Sequence, residues 1–298
     1  MPLEQIIVLA VVQGITEFLP ISSSGHLILI PFLTGWPDQG QFTDVMTHLG
    51  TLLAILIYFW RDVWRLTVGV AMLLRGKVTD DGRLALYILI GTIPAVLFGA
   101  ILSLLDMPDL ERNVTVVAWN TVIFGLLMLI ADTVGRQVKT VGDVTLRDVV
   151  VVGIAQAMAL IPGTSRSGIT MTAARFLGFT RPDSARFSFL LGIPATAAAI
   201  VLTLGKALKG GCHITSDELL AAGLTFVAGI LAIAFLMGLL KRISLLPFVL
   251  YRMALGGFLL VLIYGYGMHL PAETQNACGP GQQASMLLLQ PEGASRRS

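Results

Sequence analysis

Long apolar runs dominate the chain, and strand-like alternation is absent from most of it. A transmembrane helix needs about 20 largely apolar residues. Six stretches meet or approach that length: 46–60, which needs extension at its N-terminal end, 84–105, 114–133, 187–204, 218–240 and 243–265. Two further apolar regions, 3–31 and 149–179, behave differently. Each is broken near its middle by a proline and a Ser/Gly cluster, PISSSG at 20–25 and PGTSRSG at 162–168. Neither half of either region is long enough to span, so each reads as a re-entrant pair, one half-helix entering and a second returning. Irregular backbone at membrane depth is tolerated only where protein or a wet cavity surrounds it. The pattern therefore predicts an all-α polytopic membrane protein with about six transmembrane helices plus two re-entrant helix pairs.

Composition agrees. The 298 residues are 55% hydrophobic and only 13% charged, where soluble domains carry about 25% charged residues. Mean hydropathy is +0.82. The net charge of +2 argues against a nucleic-acid partner. Cys212 and Cys278 form no metal-ligand spacing, and no disulfide framework is expected from them. The first apolar segment carries Glu4, Gln13 and Glu17 with no basic leader or cleavage site, so it belongs to the fold and is not a signal peptide. Residues 1–268 read as one integral membrane domain. The Pro/Gly/Gln-rich tail from 269 to 298 reads as disordered.

Basic residues set the orientation. Arg61, Arg65, Arg75, Lys77 and Arg83 crowd one loop, Arg136, Lys139 and Arg147 a second, and Lys241 and Arg242 a third. These are cytoplasmic by the positive-inside rule, and the acidic loop 106–113 is external. Six spans then place both termini outside. The loop 205–217 carries Lys206 and Lys209 yet must be external, against the rule.

An internal repeat underlies the pattern. PISSSG…FLTGW-PD-x3-F at 20–42 echoes PGTSRSG…FLGF…PD-x3-F at 162–187, with small gaps. Each half, about 3–133 and 149–265, is one re-entrant pair followed by three spans. An odd number of spans inverts the second half, which gives an inverted-topology repeat with broken helices meeting near the bilayer midplane.

The two breaks carry the chemistry. The first offers Glu17, Ser22, Ser23, Ser24, Gly25 and His26; the second offers Thr164, Ser165, Arg166, Ser167 and Gly168. Each opens a returning half-helix, at about 23–31 and 167–178, whose free N–H groups and positive dipole end suit an anion. Arg166 adds a planar cation matched to phosphate oxygens. Gln13 and Glu17 lie i, i+4 on one helix face, and an ionised carboxylate facing lipid is costly, so that face points at a cavity. Glu17 could hold a divalent cation shared with a phosphate, with Gln13 beside it, or act as base toward a serine. Ser23 stands three residues before His26, a workable nucleophile and acid–base spacing. Arg252 is a third candidate cation, with snorkelling toward the basic pair at 241–242 as the competing reading. His48 and His213 read as structural histidines.

QGITEFLPISSSGH at 13–26 and PGTSRSG at 162–168 closely resemble the two signature regions of the undecaprenyl-diphosphate phosphatase (bacitracin-resistance) family. FSFLLGIP at 187–194 and KRISLLPFVLYR at 241–252 are similar to that family too, and the resemblance runs from about residue 3 to 265. It implies a multi-pass enzyme of the bacterial inner membrane, acting on the external side. Such an enzyme hydrolyses undecaprenyl diphosphate to the monophosphate and recycles the lipid carrier for peptidoglycan synthesis. By position, the family's acidic motif falls on Gln13 and Glu17, its Ser/His motif on Ser22, Ser23, Ser24 and His26, and its arginine motif on Ser165 and Arg166. The resemblance implies a divalent cation, Mg²⁺ or Ca²⁺, and Gln13 leaves it one carboxylate where the family's pattern also allows two.

On this reading Arg166 and the two helix N-termini clamp the diphosphate. Ser23, activated by Glu17 or His26, attacks the terminal phosphorus; His26 as nucleophile, or as base for water, is the alternative. The partners are a polyprenyl diphosphate and the bilayer, with room for a homodimer. Two rivals come from other classes. A lipid transporter or flippase would use the same inverted repeat. An acid-phosphatase-type lipid phosphatase would need a basic motif upstream of His26 and a second catalytic histidine after Arg166, and the sequence supplies neither.

Overall fold

The computed structural model describes residues 1–105 and 114–266, so the tail expected to be disordered lies outside the described residues. Regular structure there is helical, apart from a single bridge between Lys139 and Phe179. In chain order the helices are α1 (Leu3–Thr16), α2 (Ser23–Thr34), α3 (Gly40–Tyr58), α4 (Trp60–Leu74), α5 (Asp80–Leu105), α6 (Val114–Val134), α7 (Leu146–Met158), α8 (Arg166–Phe176), α9 (Arg181–Lys209), α10 (Ser216–Leu239) and α11 (Leu246–Tyr266). Six of these, α3, α5, α6, α9, α10 and α11, are long and apolar enough to cross a membrane. Their outward faces are studded with exposed Leu, Ile and Val, among them Leu89, Ile93, Leu97 and Ile101 on α5. The protein is an all-α polytopic membrane protein, as the apolar runs predict.

Several boundaries shift from the apolar runs, and local capping accounts for the larger shifts at helix starts. The stretch at 46–60 gains its missing turn and a half by starting at Gly40, where Gly40 N–H donates to Asp38 Oδ1 at 2.7 Å. The run at 187–204 lengthens to 181–209, its start fixed by Thr180, which caps the helix through Asp183 N–H, with Pro182 in the first turn. Hydropathy finds the lipid-matched core of a span; caps decide where the helix ends. Helix α4 is the element that the apolar pattern hides. It lies in what reads as a basic loop, and it is amphipathic, exposing Trp60, Trp64 and Leu74.

Packing pairs the elements in a reciprocal way. α1 packs on α10 and α7 packs on α5; α6 packs on α11 and α3 on α9. Small residues allow the close approaches, as in other membrane helix pairs. A Cβ on Gly14 would lie 2.6 Å from Ala228 Cβ, and one on Gly153 would lie 2.6 Å from the Gly91 carbonyl oxygen. Cys212 is buried with Phe42, Met46, Ala207 and Ala222, and Cys278 lies outside the described residues.

Candidate active site

Both breaks are built the same way. α1 runs to Thr16, Glu17 follows as its C-cap, and Pro20 precludes a continuing helix. Ser22 then takes up φ 76°, and α2 starts at Ser23. In the second break Ser165 takes up φ 70°, and α8 starts at Arg166. These two serines are the positive-φ non-glycine residues among the described ones. Such a conformation costs on the order of 1–3 kcal/mol and persists only where the surroundings enforce it. Gly163, at φ +82°, must be glycine twice over, since a Cβ there would sit 2.4 Å from the Val117 carbonyl oxygen. Ser165 Oγ accepts from Gly168 N–H at 3.2 Å, a side-chain N-cap.

The first residues of the helices that follow the two breaks, α2 and α8, meet on Glu17. Ser23 Oγ donates to Glu17 Oε2 at 2.8 Å, and Arg166 Nη2 donates to Glu17 Oε1 at 2.8 Å. Gln13 Nε2 adds a bond to Oε2 at 3.1 Å. Glu17 is 8% exposed, so its charge is balanced by the Arg166 ion pair and by hydrogen bonds from Ser23 and Gln13 rather than by bulk water. Arg166 is itself aimed by α9, its Nη1 donating to the Gly192 carbonyl at 3.1 Å and to Thr196 Oγ1. Ser167 Oγ donates to the Leu19 carbonyl at 3.2 Å, a second stitch between the breaks.

Other candidate residues fall differently. His26 does not touch Ser23: its Nδ1 lies 2.7 Å from the Ser22 carbonyl and its Nε2 2.5 Å from Tyr251 Oη. Thr164 is fully buried with its hydroxyl unpartnered, and Ser22 is fully buried at the turn. Gly25 and Gly168 permit close packing, with added Cβ atoms falling 3.3 Å from Val117 and 3.1 Å from Arg252. The side chain of Ser24 lies outside the described residues. Arg252 does not snorkel. It is 1% exposed and donates to the carbonyls of Pro20, Asn120, Thr121, Gly163 and Thr164, which ties the two breaks together. His48, read from sequence as structural, stands in the site instead: Nε2 is 3.4 Å from Gln13 Nε2 and 3.8 Å from Glu17 Oε2. Its Nδ1 donates to the Asp44 carbonyl at 2.8 Å, leaving Nε2 as an acceptor for the Gln13 amide.

Comparison with known proteins follows the same residues. The family model described as bacitracin resistance protein BacA matches residues 6–258. The chain belongs to the BacA family. Relatives carrying the name undecaprenyl-diphosphatase include one from Ruegeria pomeroyi, 48% identical over 89% of this chain and 100% of its own length. A second, from Maricaulis maris, is 49% identical over 88% of this chain and 99% of its own, and a third, from Erythrobacter litoralis, is 48% identical over 86% and 98%.

Whether a BacA-family site with Gln13 can hold a divalent cation is decided by its oxygens. No cluster of three His, Cys, Asp or Glu side chains exists among the described residues. Those residues therefore offer no closed cage. They do offer the Glu17 carboxylate, now engaged by Arg166, Ser23 and Gln13 Nε2, and the buried, unpartnered Gln13 Oε1. Two hard oxygens fit an ion that takes its remaining ligands from phosphate and water.

Proposed function

We propose that this chain is an integral membrane hydrolase that converts undecaprenyl diphosphate to undecaprenyl phosphate and inorganic phosphate, recycling the carrier for peptidoglycan synthesis and conferring bacitracin resistance. One observation carries the reading: a single buried carboxylate receives a serine hydroxyl from one break and an arginine from the other. The names of the full-length relatives give the substrate, and they weigh against the transporter reading of the inverted repeat.

The terminal phosphate takes the place of the Glu17 carboxylate as the anion held by Arg166, assisted by free N–H groups at the starts of α2 and α8. Glu17, released from that pairing, accepts the Ser23 proton. Ser23 Oγ bonds to the terminal phosphorus as the bridging P–O bond breaks and lipid monophosphate leaves. Water then hydrolyses the phosphoserine and releases inorganic phosphate, with His26 handling a proton. Gln13 Oε1 and the Glu17 oxygen that does not take the Ser23 proton would hold a divalent cation, Mg²⁺ or Ca²⁺, which would supply charge neutralisation on the diphosphate. Positioning and charge neutralisation give most of the acceleration, as in other phosphoryl transfers.

The reciprocal packing of α1 on α10 and α7 on α5, and the matching positive-φ serines, support an inverted repeat with two re-entrant pairs. The basic loops support an inner-membrane orientation with the site open to the outside.

The test is phosphate release from C55 diphosphate by the purified protein, with and without a chelator. Ser23→Ala and Arg166→Ala are each expected to lower turnover by about a hundredfold or more. Full activity in Ser23→Ala would remove the serine from the mechanism. A near-normal rate in Arg166→Ala would remove the clamp.

A further inference from the structure

The histidine of the first break is held at both ring nitrogens by groups that differ in what they can do. The Ser22 carbonyl only accepts, so His26 Nδ1, 2.7 Å away, carries a proton. In the neutral ring Nε2 is then the acceptor, and the group facing it at 2.5 Å is the Tyr251 hydroxyl of α11. The two rings are near parallel, with centroids 5.6 Å apart and planes inclined by 10°. Two hydrogen bonds at opposite corners and a ring contact fix the rotamer and the tautomer together. Tyr251 is 43% exposed at the rim, and its neighbour Arg252 is locked onto the backbone of both breaks. The phenol is thus carried by a helix that the breaks themselves hold in register.

We infer that Tyr251 is a positioning residue for His26: its hydroxyl donates to Nε2 and holds the imidazole as the Nδ1–H tautomer with its ring fixed at the mouth of the site. When His26 takes up a proton, Nε2–H forms and becomes the donor, and the phenol oxygen becomes the acceptor, so the pair survives the change of charge. Ser23 is thereby left to Glu17, and the histidine serves a separate proton step. The inference rests on the assignment of His26 to proton handling in the proposed reaction.

Tyr251→Phe keeps the ring contact and removes only the hydroxyl. With the purified protein and a C55 diphosphate, turnover falls about tenfold with KM little changed, the thermal midpoint staying within a degree or two of the parent. In a His26→Gln background, already slow, the same substitution has no further effect. An equal loss in both backgrounds would make Tyr251 merely structural and overturn the inference, as would unchanged turnover in Tyr251→Phe alone. Full turnover in His26→Gln would instead overturn the assignment of His26 itself, and the two failures are told apart by that single variant.

Discussion

Arg166 is where substrate recognition and self-neutralisation compete, and a residue with no polar atoms in its side chain decides the outcome. Gly192 leaves room for the guanidinium: a Cβ there would fall 2.5 Å from Nη1 and 2.9 Å from Cζ. The obstructing atoms are the far end of a flexible side chain, so Gly192→Ala should displace Arg166 rather than unfold α9. Misplacing a charged group by an ångström costs about 10- to 100-fold in rate. Phosphate release by Gly192→Ala is expected to fall by that factor while thermal unfolding stays near the parent value; unchanged turnover would mean that this rotamer of Arg166 is not needed. What the sequence revealed at this scale follows from locality. Glu17, Ser23, His26 and Arg166 sit in two short motifs whose residue types carry their own chemistry. Gly192, Thr196, His48 and Tyr251 come from remote helices, and nothing in their local sequence says what they face. His48 looked like any histidine in a helix until α3 was seen packed beside α1.

Helices as short as α2 and α8 need anchors at their far ends, since neither is long enough to cross a membrane. For α8 that anchor is ionic. Arg175, fully buried in its last turn, donates through Nε to Asp132 Oδ1 at 3.1 Å and through its Nη atoms to the carbonyls of Asp132, Gly135, Arg136 and Phe179. Asp132, near the end of α6, also accepts from Arg181 Nε at 2.8 Å and from Leu245 N–H at 3.0 Å. One carboxylate thus joins the ends of α6 and α8 to the starts of α9 and α11. Removing one member of a buried ionic network costs about 3–5 kcal/mol, because the remaining charge is stranded. Asp132→Ala is expected to lower the thermal midpoint in detergent sharply and to reduce activity with it. A variant as stable as the parent would show that α8 is held by packing alone. Span positions were legible here because lipid demands long apolar runs. The network was not, because Asp132, Arg175, Arg181 and Leu245 come from separate stretches of the chain and nothing local pairs them; α4 escaped because it lies in what reads as a basic loop.

At the scale of the molecule the central question is which way each half faces. An inverted repeat requires the α1–α2 pair to enter from one side and the α7–α8 pair from the other, so that Ser23 and Arg166 reach the same carboxylate from opposite directions. Charge bias alone leaves one conflict, the lysines at 206 and 209 on a loop that the span count places outside. Short loops obey the rule on average, and a structural constraint overrides it when the rest of the chain is already oriented. Single cysteines at exposed positions separate the two demands. A membrane-impermeant maleimide added to cells with a permeable outer envelope is expected to modify Thr34→Cys and Lys209→Cys. Val138→Cys should react only after the inner membrane is opened. Modification of Thr34→Cys and Val138→Cys from the same side would contradict the inversion outright. Protection of Lys209→Cys in intact cells would instead mean that the lysines prevail, and α9 and α10 would then have to cross in the opposite sense. That arrangement would turn Gly192 and Thr196 away from the depth at which they now hold Arg166, so the labelling result bears directly on the geometry of the site.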